Sequence, residues 1–139
     1  MLVEDSPDDV MLIQRVFKKN NIDVDFIVAI DGAEALNYLF GKKDYPGKSD
    51  NALPSLILLD LKIPKVNGIE ILEWVRKENK TRLIPVVIIT SSKEEKDVIM
   101  GYNSGANSYI KKPIIYEEFS DVIRMVGYYW LNLNEPMPC

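Results

Sequence analysis

Three stretches of this chain, "DFIVAI" at residues 25–30, "LILLD" at 56–60 and "VVIIT" at 86–90, are apolar almost without interruption. A half-exposed strand alternates polar and apolar side chains. A run that is apolar at nearly every position needs cover on both faces, as strands inside a parallel sheet do. Residues 2–4 and 108–111 read as two further, shorter strands. The segments between them supply the cover. "SPDDVMLIQRVFKKN" opens with Ser6 as a helix N-cap, Pro7 at the first helical position and Asp9 three residues after the cap, a capping-box-like start. Val10, Ile13, Val16 and Phe17 then recur at helical spacing. "GAEALNYLF", "NGIEILEWVRKE" and "EEKDVIMGYNSG" give the next three helices, the last with the weakest apolar pattern. A final helix over residues 116–133 places Phe119, Val122, Ile123, Val126, Trp130 and Leu133 along one face. Five βα units in succession imply an α/β fold, a parallel sheet with helices on both faces.

No repeat and no linker divides the chain, so residues 1–139 read as one domain, long enough to bury about two-thirds of its unfolded surface. Residues 41–55 ("GKKDYPGKSDNALPS") form a connection longer than most in such folds, either a solvated insertion or a partner contact. No run approaches the ~18 apolar residues of a membrane span, and no signal peptide is visible, so no membrane association is expected. The single cysteine, Cys139, excludes an internal disulfide and suits a reducing, cytoplasmic setting. A net charge of −4 argues against nonspecific nucleic-acid binding, which needs a basic surface. The histidine count is zero, which excludes Ser-His-Asp and Cys-His sites, His-ligated zinc and a phosphohistidine of the chain's own.

In an open α/β sheet, ligands sit outside the carboxyl ends of the strands. Strand one ends in Glu4 and Asp5, strand three in Asp60, strand four in Thr90 and Ser91, and strand five in Lys112, just before Pro113. Each has an ordinary explanation alone: Asp60 as a turn residue or N-cap, Glu4 and Asp5 as a helix approach, Thr90 as a strand end, Lys112 as a solvated lysine. Three carboxylates, hydroxyls and one ammonium arriving on a single rim point instead to chemistry. Carboxylates this close raise one another's pKa unless a cation joins them, and oxygen-only ligation suits Mg²⁺. An aspartate there can attack phosphorus, with metal and lysine neutralising the phosphoryl oxygens and a hydroxyl bonding one of them. Asp60 is therefore read as a phosphoryl acceptor and Mg²⁺ as its cofactor.

The motifs "LVEDSPDD", "LILLDLKIPKVNG", "VVIITSS" and "GANSYIKKP", in this order and spacing, resemble the receiver domain of two-component response regulators over almost the whole chain. The long insertion, the "IPVVIITSS" run and the Trp130 tail look most similar to stand-alone regulators associated with phytochromes. The resemblance implies a doubly wound, flavodoxin-like (CheY-like) sheet of five parallel strands in the order 2-1-3-4-5. It also implies that Asp60 is phosphorylated and that Glu4 and Asp5 form the acidic pair, with Asp5 the direct Mg²⁺ ligand and the Lys62 backbone carbonyl another. By the same resemblance Thr90 is the switch hydroxyl and Lys112 the lysine that pairs with the phosphoryl group. Tyr109, otherwise a half-buried strand aromatic, is the switch aromatic, and a cis peptide precedes Pro113. A sensor histidine kinase, of phytochrome type, would be the donor, and the surface of helix four, strand five and helix five the part that switches. The sequence departs from the pattern at Glu4, where many receivers have Asp, and at strand one, which begins almost at Met1 as if residues precede it. From the short tail "NLNEPMPC" no output domain is expected.

Two rival functions are weaker. An aspartate-nucleophile phosphatase of the haloacid dehalogenase type needs a second acid two positions after the nucleophile, where Lys62 stands. A phosphorylation-independent interaction module would usually lack the acceptor, the acids or the lysine, and all are present. The chain is thus expected to be no enzyme beyond slow self-dephosphorylation. Tyr128, Tyr129 and Trp130 either pack on the sheet or, with strand five, serve a homodimer through helix 4, strand 5 and helix 5.

Overall fold

The computed structural model describes residues 1–41 and 52–138. Most of the long insertion and Cys139 lie outside the described residues. Five parallel strands, β1 (Leu2–Val3), β2 (Val28–Ala29), β3 (Ile57–Leu59), β4 (Val86–Thr90) and β5 (Ser108–Lys111), form one sheet in the order β2-β1-β3-β4-β5. The helices are α1 (Pro7–Lys19), α2 (Gly32–Phe40), α3 (Gly68–Lys77), α4 (Glu95–Asn103) and α5 (Tyr116–Tyr128). Alternate strand residues feed two cores. Val3, Ile57, Leu59, Val86 and Ile88 pack with α2 and α3, through Leu36, Leu39, Ile71 and Leu72. Leu2, Leu58, Val87 and Ile89 pack with α1 and α5, through Ile13, Phe17, Phe119 and Ile123. The expected doubly wound architecture is therefore present.

Local chemistry explains most element boundaries. Ser6, Asp31 and Asn67 each cap a helix by accepting the N–H three residues on, from Asp9, Glu34 and Glu70. In α1 the reciprocal half of the capping box does not form: the Ser6 N–H donates to Glu4 Oε1 at 3.1 Å, which leaves the Asp9 carboxylate for another partner. Gly41 closes α2 with φ +69°, the left-handed conformation that glycine adopts most cheaply.

Three expectations need correction. The 25–30 run is paired only over Val28–Ala29, and Ile30 is 55% exposed rather than buried on both faces. As an edge strand, β2 has one neighbour, and β1 offers it only two residues. The last helix changes geometry, because α5 passes into a π-helical turn at Tyr129–Leu133. The wider turn shifts the register of the apolar face, so Trp130 stays half-buried while Leu133 is 61% exposed. The expected cis peptide before Pro113 is also absent: the Lys112–Pro113 bond is trans. An X–Pro amide favours trans by about 0.5–1 kcal/mol.

One arginine ties three elements together at the end of the sheet opposite the polar rim. Arg76 on α3 donates to the Gly105 carbonyl at 2.8 Å, to Arg82 and Ile84 carbonyls at 3.0 and 2.8 Å, and to Asn107 Oδ1 at 2.8 Å. The same Asn107 oxygen accepts the Val86 N–H at 2.8 Å, so α3, the start of β4 and the α4–β5 turn share one network. Arg76→Ala is expected to lower stability by about 2 kcal/mol in urea unfolding, since it strips two part-buried carbonyls, of Gly105 and Ile84, of their donors at once. Arg76→Lys should recover little of this, because an ammonium cannot reproduce the planar fork.

Candidate functional site

Three charged groups of the site, Glu4, Asp60 and Lys112, are each fixed by a strand end. The Asp60 N–H continues the β1–β3 ladder by donating to the Val3 carbonyl at 3.0 Å, and the Glu4 N–H donates to Ala29 at 3.0 Å. The Lys112 N–H donates to the Thr90 carbonyl at 2.8 Å, extending β5 by one step. The apolar runs before these residues are pinned inside the cores, so the polar side chains emerge at the rim with little freedom. Lys111, its neighbour, points to solvent.

Carboxylate oxygens of Glu4, Asp5 and Asp60 lie within 4.8 Å of one another. Glu4 and Asp60 are only 3% and 7% exposed, whereas Asp5 is exposed. Lys112 Nζ reaches Glu4 Oε2 at 2.6 Å, Asp9 Oδ2 at 2.8 Å and Asp60 Oδ2 at 3.0 Å. The other Asp60 oxygen accepts the Lys62 N–H at 3.2 Å. Burial, with the Asp60 charge adding to it, pushes Glu4 up to about 7 against the pull of Lys112. Burial disfavours the Lys112 ammonium too, but hydrogen bonds to Asp9 and Glu4 and the charge of Asp60 outweigh it and hold Lys112 above the usual lysine range. Three carboxylates thus contact one ammonium and a fourth, Asp5, lies beside Glu4 and Asp60, an excess of negative charge that a divalent cation would balance. An all-oxygen donor set, without histidine or cysteine, fits a hard cation such as Mg²⁺.

Thr90 ends β4 fully buried, and Ser92 two residues on is 6% exposed. The Ser92 hydroxyl is bonded to Asp97 of α4, and its carbonyl accepts the Tyr109 hydroxyl at 3.2 Å. Tyr109 is half-buried, and burial pushes its phenol up. α4 buries only Gly101, where an added Cβ would stand 2.8 Å from Ile88 Cδ1 and 3.2 Å from Tyr109 Cδ2. That helix is the most lightly anchored of the five, as its weak apolar pattern foretold.

The structure therefore gathers Glu4, Asp5, Asp60 and Lys112 into one cluster and places Thr90 and Tyr109 on the adjoining strands. Sequence reasoning missed two participants. Asp9 fits a capping pattern but its carboxylate faces Lys112, and the buried hydroxyl beyond Thr90 belongs to Ser92 and not to its exposed neighbour Ser91. Their signals were an acid on the first turn beyond the rim and the second hydroxyl of "TSS". A groove of about 570 Å³ opens beside the cluster, lined by Asp8, Asp9, Lys112, Ile114 and Tyr116 among others.

The structure is thus a doubly wound α/β domain, a parallel sheet with an acidic, lysine-bridged pocket on its carboxyl rim. The chain belongs to the response regulator receiver domain family, whose model matches residues 1–124. It is 35% identical over 134 residues to the probable methanogenesis regulatory protein FilR2 of Methanothrix harundinacea, covering 96% of this chain and 84% of that one. It is also 35% identical to response regulator Rcp1 of Synechocystis sp., covering 95% of this chain and 88% of Rcp1. The Mn²⁺-bound crystal structure of Rcp1 superposes with a TM-score of 0.91 at 33% identity, over 99% of this chain and 96% of that one. The phosphorylated cyanobacterial phytochrome response regulator RcpA gives 0.90 at 31% identity, again over 99% and 96%. The chain is thus a receiver domain of a two-component system, and among the described residues no helix is long and apolar enough to cross a membrane.

Proposed function

We propose that this receiver accepts a phosphoryl group on Asp60 from the phosphohistidine of a partner histidine kinase and works as one switching domain in a phosphorelay. The observation that carries the reading is the contact of Lys112 with Asp60 at 3.0 Å inside a cluster of three carboxylates. Glu4, Asp5, Asp60 and the Lys62 carbonyl would hold Mg²⁺, which supplies charge neutralisation for the transferring group. The Asp60 carboxylate attacks phosphorus and the bond to the donor imidazole breaks. Lys112 then pairs with a phosphoryl oxygen, and the Thr90 hydroxyl hydrogen-bonds another. Movement of Thr90 lets Tyr109 turn and biases the surface of α4, β5 and α5. The likeness to RcpA, described as a phytochrome response regulator, supports a phytochrome-type kinase as donor. Phosphate loss from Asp60 is slow self-hydrolysis, and the site is in the cytoplasm.

The test is intact mass after incubation with a small phosphodonor such as acetyl phosphate, with and without Mg²⁺. One adduct that requires Mg²⁺ is expected. A pocket that neither takes up phosphoryl groups nor binds Mg²⁺ would leave a phosphorylation-independent interaction module.

The switching face also supports self-association. Ile99, Met100 and Tyr102 on α4 and Tyr128 on α5 are each about half exposed, a concentration of apolar surface suited to a homodimer. Light scattering with a phosphoryl mimic such as beryllofluoride should show about twice the monomer mass; a monomer with and without the mimic removes the dimer.

A further inference from the structure

The loop between β3 and α3, residues 61–67, carries the Lys62 carbonyl and is gripped from outside by the start of α2. The Gly32 N–H donates to the Pro64 carbonyl at 3.1 Å, and Lys65 Nζ pairs with the α2 cap residue Asp31 at 3.2 Å. An added Cβ at Gly32 would lie 2.0 Å from the Val66 carbonyl oxygen and 2.6 Å from Val66 Cβ, so the helix start and the loop are in direct backbone contact. At the far end Gly68 makes an equally close approach, since a Cβ there would meet the Asp60 carbonyl at 2.5 Å. Between these two contacts Lys65 is held at φ +70°, a left-handed conformation that a lysine keeps only when its surroundings impose it.

From this geometry we infer that the N-terminus of α2, through Gly32 and Asp31, is a brace that sets the position of the Lys62 carbonyl, making these two positioning residues for the metal site. The inference rests on the metal-site reading above. Mg²⁺ demands near-ideal octahedral geometry at about 2.0–2.1 Å, so a displaced ligand loop is felt directly in affinity. Gly32 itself has no polar side chain and touches no metal ligand except through the loop. The ion pair is the lesser part of the brace, because Lys65 is 66% exposed and solvent screens it.

The test is calorimetric titration of MgCl₂ into the whole protein, comparing wild type, Gly32→Ala and Lys65→Gly, with circular dichroism reporting the fold. Gly32→Ala forces the Val66 carbonyl away, and Kd for Mg²⁺ should rise roughly tenfold, as when outer-shell support of a metal ligand is lost. Alanine favours a helix more than glycine does, so propensity would act in the opposite direction. Lys65→Gly should weaken binding less but in the same direction; removal of a positive charge near the pocket would by itself tighten it. A folded Gly32→Ala with wild-type Kd overturns the brace. If Gly32→Ala does not fold, Lys65→Gly decides, and an unchanged or tighter Kd overturns it. No Mg²⁺ heat from wild type would instead sink the metal-site reading beneath it.

Discussion

Asp60→Asn is expected to abolish the phosphoryl adduct, lowering uptake from a small phosphodonor by at least a hundredfold, on the order of losing the covalent nucleophile altogether. The substitution is nearly isosteric, and the surrounding bonds say why the fold should survive. The amide oxygen can still accept the Lys62 N–H, which lies 3.2 Å from Asp60 Oδ1, and Lys112 keeps Glu4 and Asp9. What disappears is the anionic oxygen that, in the proposed reaction, forms the bond to phosphorus.

The same variant carries a second expectation of opposite sign. With Glu4, Asp5 and Asp60 oxygens within 4.8 Å, each ionised carboxylate raises the energy of the others. Removing one charge should raise the melting temperature in the absence of divalent cations and shrink the further rise on adding Mg²⁺. Intact mass and thermal melts with and without Mg²⁺ read both effects on one sample. Uptake at the wild-type rate would place the acceptor elsewhere, and an unchanged Mg²⁺ response would remove Asp60 from the ligand set.

Much of this architecture was legible because its signals are local and agree. β4 and β5 match the expected bounds, and α2 fills the segment read for it, where an acidic N-cap and a glycine stop bracket an apolar stripe. Glu4, Asp60 and Lys112 were legible because a polar residue at the end of an apolar run must leave the core at the rim. The misses share a physical origin in tertiary competition. Asp9 satisfied a capping pattern, yet Glu4 took the Ser6 N–H and Lys112 took Asp9. The 25–30 run had the composition of an interior strand, but its place at the sheet edge depends on strand order, which apolar pattern does not encode. Leu133 fell off the apolar face because a π turn changes the period on which that face was drawn.

Lys112→Met should be the most destabilising single change at the rim when no divalent cation is present. The side chain is 11% exposed and sits on two carboxylates buried nearly as deeply, Glu4 and Asp60, as well as on Asp9. Methionine keeps the length and apolar stem but leaves these acids with no cation among them. Breaking a buried ion pair from one side typically costs about 3–5 kcal/mol, because the remaining charge stays desolvated. For a domain of this size that is a fall of roughly 10–17 °C in Tm. Mg²⁺ should reverse much of it, since it meets the carboxylates without Lys112 to oppose it. At a concentration one hundred times its Kd, binding to the native state alone returns about 2.7 kcal/mol. The variant should therefore bind Mg²⁺ more tightly than wild type and show the larger Mg²⁺-dependent rise in Tm. On the proposed mechanism its phosphorylated form would lack an ammonium to pair with the phosphoryl group and would fail to move Tyr109. Thermal melts across a Mg²⁺ series separate the two roles: equal Mg²⁺ responses in wild type and Lys112→Met would mean that lysine and metal do not share these carboxylates.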